Sequence, residues 1–193
     1  MRRPSRCLVP KGRTTVEFRH NDCWGELFQL SRESAFHMEL RDAYAVPSES
    51  EPLRRFLQGD PPGDYDKSDW TNLIEEITGR GVKVSRVRVI TVPHSDYQRW
   101  LLSVTGENVA AGEDIRYLPR QLVDPKDLPA DDWWLFDDER VAFNLVDSAG
   151  RPAGAAVTTD PAVAAYCRSI KEQLLPMAIP FAEYIEQSPV NSR

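Results

Sequence analysis

The chain contains few of the residues, and none of the short motifs, on which common catalytic and cofactor sites depend. It has three cysteines, Cys7, Cys23 and Cys167, and no C-x-x-C pair, so the spacing typical of a zinc or dithiol site is absent. No G-x-x-x-x-G-K-[ST], G-x-G-x-x-G or G-x-S-x-G sequence occurs, which argues against a P-loop, a Rossmann-type dinucleotide site and a serine-hydrolase elbow. We therefore expect no cofactor and no bound metal ion.

Long apolar runs are also absent. The longest contains six residues, 162–167, whereas a membrane-spanning helix needs ~20. Arg2, Arg3 and Arg6 resemble the basic start of a secretory signal, but no apolar stretch of ~7–15 residues follows them. We therefore expect a cytoplasmic protein that has no membrane segment.

Basic residues are fewer than acidic ones in the chain as a whole but outnumber them at its beginning. The formal net charge is −6, which argues against direct nucleic acid binding. Residues 1–20 nevertheless contain six basic residues and only one acidic residue, Glu17. The pattern favours a flexible basic tail over residues 1–20, and a DNA-contacting arm is the alternative.

The remaining sequence predicts one α/β domain over residues 21–187, followed by a short C-terminal tail at 188–193. Alternating apolar residues predict strands at 35–40, 82–92, 113–118, 133–136, 140–146 and 153–158. Helical periodicity begins near Asp22, Glu51, Ser68, Ser95 and Asp160, and in the last of these it continues through two prolines. This order of elements predicts a mixed central sheet with helices packed on it. Because adjacent strand residues face opposite sides, we expect one residue of the Trp133-Trp134 pair in the core and the other near the surface.

Charged residues two positions apart recur in three predicted strands. Such residues share a face of a strand, which pairs Arg86 with Arg88. It likewise pairs Glu39 with Arg41 and Asp114 with Arg116. A half-buried sheet would collect these charges on its polar face. We expect either a structural ion-pair network or a pocket in which the arginines bind a planar anion.

A second arrangement would serve catalysis. His94 follows Pro93 at the end of a predicted strand, a position where active sites of α/β sheets often lie. Together with Glu113 and Asp114 it is the candidate reacting centre of an enzyme acting on a phosphorylated or nucleotide-like compound. No serine or cysteine nucleophile pairs visibly with it.

Four separated segments carry a family resemblance: FHMELRDAY (36–44), GVKVSRVRVITV (81–92), GEDIRYLPR (112–120) and WWLFD (133–137). Over residues 22–186 the chain resembles an actinobacterial family defined only as a domain of unknown function. Members resemble accessory proteins found beside helix-turn-helix regulators, which implies a regulatory role and a partner protein.

A weaker resemblance is to the phospholipase D-like fold. The catalytic H-x-K pair of that superfamily is missing, because His20, His37 and His94 are followed two residues later by acidic residues. The resemblance therefore implies a degenerate scaffold that binds rather than cleaves. The leading expectation is a non-enzymatic regulatory or interaction protein, which binds a partner protein or a small anionic ligand through the patch around Arg86, Arg88 and Arg116. An enzyme of another type and a DNA-associated accessory factor are the alternatives.

Overall fold

One mixed sheet of eight strands organises the part of the chain that the structure describes. The structure is a computed structural model and describes residues 15–61 and 65–187. The strands are β1 (Val16–Arg19), β2 (Ser34–Glu39), β3 (Lys83–Ile90), β4 (Asp114–Pro119), β5 (Trp133–Phe136), β6 (Arg140–Val146), β7 (Pro152–Thr158) and β8 (Ile179–Pro180). Their spatial order is β1-β7-β6-β5-β2-β3-β4-β8.

Six helices connect or flank these strands. They are α1 (Cys23–Leu30), α2 (Pro47–Leu57), α3 (Ser68–Gly79), α4 (Asp96–Ala110), α5 (Pro161–Leu174) and α6 (Phe181–Gln187). Ser95 caps α4 by accepting a hydrogen bond from the backbone N–H of Gln98, and Asp160 caps α5 through the N–H of Ala162. The predicted single α/β domain built on a mixed sheet is confirmed.

The centre of the sheet is parallel. β3 pairs in parallel with β2 on one side and with β4 on the other, so helical crossovers are required between these strands. The remaining ladders are antiparallel, including the β5–β6 hairpin. Residues 137–139 connect the two strands, and Asp137 and Asp138 have φ of 52° and 54°, the left-handed conformation that tight hairpin turns use.

Helices cover both faces of the sheet. On one face α5 packs Cys167, Ile170 and Leu174 against apolar residues of β2, β3, β5 and β6. On the other face α1 and α3 pack against the same strands, and α4 lies beside them. The expectation of a half-buried sheet was therefore wrong. Trp133 and Trp134 do face opposite sides, but both are buried, with 0% and 3% of their surfaces exposed.

The ends of the domain differ from the sequence-based expectation. Val16–Arg19, which was assigned to the flexible tail, forms the edge strand β1 and pairs with β7. The rest of that tail (1–14) and the C-terminal tail (188–193) lie outside the described residues. The apolar pattern after Asp160 fitted one kinked helix or two consecutive helices. The structure shows α5, a 3-10 turn at Leu175–Met177, the short strand β8 and then α6.

β1 approaches β7 very closely at Gly154. This glycine has a φ of +117°, and a Cβ atom placed on it would lie 2.0 Å from the carbonyl oxygen of Arg19. Only a residue without a side chain fits there.

None of the helices within residues 15–61 and 65–187 combines the length and the apolar content that crossing a bilayer requires.

Candidate functional site

Two arginines and two glutamates form a buried ion-pair network on the face of the sheet that α3 and α4 cover. Arg86 Nε donates to Glu113 Oε1 over 2.7 Å, and its Nη1 donates to Glu39 Oε2 over 2.8 Å. Arg88 Nε lies 3.1 Å from Glu39 Oε1. All four residues are at least nine-tenths buried. We call these residues the Arg–Glu network.

Strand register explains why these residues meet. In the parallel β2–β3 ladder Glu39 lies opposite Arg88 and His37 lies opposite Arg86. Glu113 immediately precedes β4, on the same side as Ile115 and Tyr117. Three neighbouring strands thus place opposite charges side by side, which the sequence pattern predicted for Glu39, Arg86 and Arg88.

Helices α3 and α4 complete the network with neutral partners. Glu113 Oε2 accepts hydrogen bonds from Trp70 Nε1 (3.2 Å) and Asn108 Nδ2 (3.1 Å). Arg88 Nη1 donates to Thr105 Oγ1 (3.2 Å) and to the hydroxyl of Tyr117 (3.3 Å). These bonds compensate for much of the hydration that the charged groups lose on burial.

The arginines keep Glu39 ionised. Burial by itself would raise the pKa of Glu39, but the positive charges of Arg88 and Arg86 outweigh it and lower this pKa to about 2. Glu39 is therefore a carboxylate at every physiological pH.

His37 lies beside the network as a neutral imidazole. Burial, reinforced by the positive charge of Arg86, holds the pKa of His37 well below its usual value. Its ring stacks on Trp134, with centroids 4.3 Å apart and planes 6° from parallel. Nδ1 lies 3.7 Å from Glu39 Oε2, and neither ring nitrogen has a hydrogen-bond partner in the described part of the chain.

The two arginines of the Arg–Glu network and His37 lie at the floor of a cavity of about 920 Å³. This volume is in the range of small-molecule sites. The cavity lies on the sheet face that α1 and α3 cover, over β2, β3, β5 and β6. Its floor includes Arg86, Arg88, His37 and Trp134, and its walls include Trp24, Tyr65, Lys67, Trp70 and Asn144. We call it the sheet-end cavity.

Lys67 adds a further cationic group to the cavity wall. Its Nζ donates to the carbonyl oxygen of Val104 over 2.6 Å and to Asn108 Oδ1. Burial, together with the positive charge of Arg88, lowers the pKa of Lys67 to about 8. The amine is thus mostly protonated at neutral pH and loses its charge in mildly alkaline solution.

Four of the predicted site residues lie elsewhere. Arg116 lies opposite Val87 in the β3–β4 ladder and so projects from the α5 face, where it binds Asp114 in an exposed ion pair with Nη2–Oδ2 at 2.9 Å. Arg116 and Asp114 do share a face of β4, as predicted, but the network lies on the opposite face of the sheet. The alternation within a strand shows which residues share a face, whereas the strand register decides which faces of neighbouring strands lie on the same side of the sheet.

Arg41 and His94 are also separate from the cavity. Arg41 follows the end of β2 and is exposed. His94 bonds through Nε2 to the Tyr184 hydroxyl (2.9 Å) and through Nδ1 to the carbonyl oxygen of Thr91 (3.2 Å). The predicted reacting centre of His94, Glu113 and Asp114 is therefore not assembled, because only Glu113 reaches the network.

The sequence patterns did not indicate five residues that line the site: His37, Lys67, Trp70, Trp134 and Asn144. His37 shares the i, i+2 relation with Glu39 that identified the other charged residues, and this signal was available. Lys67 and Trp70 come from the start of α3, and nothing in a local pattern shows that this turn lies beside the cavity.

Solved structures share this fold at low sequence identity. Nuc, a phospholipase D family member from Salmonella typhimurium, superposes with a TM-score of 0.51 at 11% identity, over 86% of this chain and 97% of Nuc. NucT from Helicobacter pylori gives a TM-score of 0.51 at 12% identity, over 86% of this chain and 99% of NucT. The fold is thus phospholipase D-like, as predicted. At such identity the likeness concerns the fold alone.

A third similar structure is TrmBL2, an archaeal chromatin protein that shows a novel mode of DNA binding. Its TM-score is 0.48 at 14% identity, and the match covers 90% of this chain. This chain spans 56% of the length of TrmBL2. A likeness at this score carries no argument about function.

Sequence comparison gives the family directly. None of the curated proteins matches the chain. Residues 22–186 match the model of DUF6879, a domain of unknown function. The protein is therefore a member of the DUF6879 family with a phospholipase D-like fold.

Proposed function

We propose that this protein binds a small anionic ligand in the sheet-end cavity and does not act on it chemically. One observation carries the proposal: Arg86 and Arg88, which are 8% and 7% exposed, line a cavity of about 920 Å³. A purely structural ion-pair network gains nothing from an adjoining space of this size.

The cationic groups at the cavity are Arg86, Arg88, Lys67 and Arg151, and the acidic residues Glu49, Asp66, Asp69 and Asp147 also line it. Glu39 and Glu113 offset the charges of Arg86 and Arg88, and Asp147 offsets that of Arg151, so the attraction for an anion is local to the arginines and Lys67. Arg86 donates hydrogen bonds through Nε and Nη1, and Arg88 donates through Nη1. Within the described residues neither Nη2 atom has a hydrogen-bond acceptor, so a ligand oxygen has donors left to meet. Arginine favours such planar oxyanions because its nitrogens form a fork.

Binding without catalysis fits the surroundings of His37. A nucleophilic or acid–base site requires a partner within hydrogen-bond reach of the histidine. Neither ring nitrogen of His37 has such a partner in the described ranges, and the Glu39 carboxylate lies 3.7 Å from Nδ1, beyond hydrogen-bond reach.

Isothermal titration calorimetry with inorganic phosphate and phenyl phosphate tests the proposal. We expect saturable binding that weakens as salt concentration rises, because the attraction is electrostatic. The double variant Glu39→Gln/Arg88→Gln removes one charge of each sign and should weaken binding at least tenfold. Lys126→Met, which removes an exposed lysine paired with Asp124, is the matched control and should bind like the wild type.

Two results would overturn the proposal. The first is the absence of saturable binding of either anion to a folded protein. The second is equal affinity in the wild type and the double variant, which would place the anion outside the sheet-end cavity. Thermal unfolding of each variant in the absence of ligand shows whether it is folded.

A second candidate function rests on one observation: His37 and Lys67 line the same cavity. An enzyme acting on a phosphorylated compound would use such a pair. Turnover of bis(4-nitrophenyl) phosphate that disappears in His37→Ala would favour this candidate over simple binding. The helix-turn-helix partner that the family resemblance implies stays a prediction, for which co-purification from the native host is the test.

A further inference from the structure

The walls of the sheet-end cavity are unusually aromatic for a site whose floor is charged. Trp24 of α1, Trp70 of α3 and Tyr65, which precedes α3, line it, and each is only partly buried. Trp70 is anchored through its bond to Glu113, and Tyr65 through its hydroxyl bond to Glu49 Oε1 (3.3 Å). Fixed indole and phenol rings that keep part of their surface open to a cavity offer apolar faces on which another ring can stack.

Two residues that line the same space carry buried polar atoms without partners. His37 is 4% exposed, and both its ring nitrogens lack a hydrogen-bond partner within the described residues. The buried Oδ1 atom of Asn144 likewise has no partner there, and Asn144 lines the cavity too. An unsatisfied buried polar group costs about 1–3 kcal/mol, so a ligand that supplies these bonds gains affinity.

These atoms define what the ligand carries. A neutral imidazole presents one N–H donor and one acceptor nitrogen, and Asn144 Oδ1 requires a donor. A fully ionised inorganic oxyanion can accept the N–H bond but cannot donate to the two acceptors. The ligand therefore needs hydrogen-bond donors in addition to its negative charge.

We infer that the ligand of the sheet-end cavity is a planar aromatic anion with hydrogen-bond donors, whose acid group lies near Arg86 and Arg88 and whose ring stacks on the aromatic walls. The inference rests on the proposed anion-binding function and adds the ring and the donors to it. Two sources supply this chemistry: a nucleoside monophosphate and a hydroxylated aromatic carboxylate. The cavity volume accommodates either.

A panel of five ligands separates the elements of the inference. Calorimetry is carried out on the full chain with adenosine monophosphate, 4-hydroxybenzoate, ribose 5-phosphate, adenosine and inorganic phosphate. We expect at least one of the first two to bind ten or more times as tightly as each of the last three, which lack the ring or the charge. Whichever of the two binds more tightly identifies the source.

Variants of the lining residues then test whether the ring of the ligand contacts the cavity walls. Trp24→Leu and Tyr65→Leu should each weaken binding of the preferred aromatic anion three- to tenfold while leaving the affinity for inorganic phosphate unchanged. Asn144→Ala should weaken the aromatic anion alone by a similar factor. Tyr166→Leu is the matched control, because Tyr166 lies exposed on α5 on the opposite side of the sheet.

The outcomes distinguish this inference from the proposed function. If inorganic phosphate or ribose 5-phosphate binds as tightly as the aromatic anions, the protein binds anions and the aromatic inference is wrong. Equal losses in Trp24→Leu, Tyr65→Leu and Tyr166→Leu would also overturn it. If no member of the panel binds, both the inference and the proposed function are contradicted. Thermal unfolding of each variant confirms folding, and a variant that is unfolded is replaced by Trp24→Phe or Tyr65→Phe, for which a smaller loss in the same direction is expected.

Discussion

Glu39 and Arg88 lie directly opposite each other in the parallel β2–β3 ladder, with Glu39 Oε1 3.1 Å from Arg88 Nε. The second oxygen of the same carboxylate accepts from Arg86, two residues earlier on β3. One glutamate therefore bridges two arginines at the centre of the sheet, and it is the common counter-ion of the whole cluster.

Removal of this carboxylate should destabilise the protein strongly. Glu39→Ala leaves two buried guanidinium groups with reduced compensation, and breaking a buried pair from one side typically lowers stability by about 3–5 kcal/mol. Urea unfolding followed by circular dichroism measures the free energy of unfolding. Glu51→Ala, at an exposed i, i+3 pair with Arg54, is the control and should have little effect. Similar losses in the two variants would show that the network contributes no more than a surface pair.

Asp132 should make stability depend on pH in an unusual direction. Its Oδ1 accepts from the backbone N–H of Leu40 over 2.9 Å. Burial, reinforced by the charge of Glu39, raises the pKa of Asp132 to about 7. Because the folded pKa is higher than the unfolded one, the carboxyl favours folding when protonated, and this advantage is lost as pH rises from about 4 to 7.

Asp132→Asn removes that titration. The stability of the variant relative to the wild type should therefore increase between pH 4 and pH 8, by an amount on the order of 3 kcal/mol, and level off above pH 8. Urea unfolding at unit pH intervals gives the difference profile, in which the titrations common to both proteins cancel. A flat difference profile would contradict the raised pKa.

Lys67 should give anion binding an alkaline limit. With its pKa at about 8, the lysine is charged below pH 8 and neutral above it, so affinity for phenyl phosphate should fall between pH 7 and pH 9. Lys67→Arg keeps the charge throughout this interval and should remove the decline. Calorimetry at pH 7, 8 and 9 provides the test, with phenyl phosphate as the ligand because its second ionisation is complete by pH 7. Equal declines in both proteins would exclude Lys67 as the cause.

Gly154 should tolerate no side chain. In Gly154→Ala the new methyl group would meet the Arg19 carbonyl oxygen, and the alanine would have to keep a left-handed φ. We therefore expect the free energy of unfolding to fall by about 2–4 kcal/mol as β1 shifts away from β7. Gly25→Ala is the matched control, since nothing lies within 4 Å of the added Cβ within α1. It should raise stability by about 0.5–1 kcal/mol. Full stability in Gly154→Ala would mean that the β1–β7 contact is looser than described.

Local patterns predicted the elements of this fold well and their arrangement only in part. Alternation located β3 and helical periodicity located α3, because both depend on neighbouring residues along the chain. The face to which Arg116 projects depends instead on how β4 aligns with β3, which no local pattern encodes. Apolar residues on one side of the sheet did not show that helices also cover the other, so the burial of Trp134 and His37 was missed.

β1 was missed for a related reason. Val16 and Phe18 alternate with Glu17 and Arg19, but a four-residue segment among basic residues gives too short a signal, and Phe18 remains 76% exposed in the structure. Its strand conformation depends on pairing with β7, nearly 140 residues later in the chain.

The floor and walls of the sheet-end cavity belong to separate parts of the architecture. The charged floor is built into β2 and β3 at the middle of the sheet, whereas the aromatic residues come from α1, from the start of α3 and from the segment before it. Under the proposed function, substitutions at Trp24 or Tyr65 should change which compound binds without disturbing the strands that hold the charges. Ligand selectivity could therefore be redesigned in the helical walls while the Arg–Glu network stays unchanged.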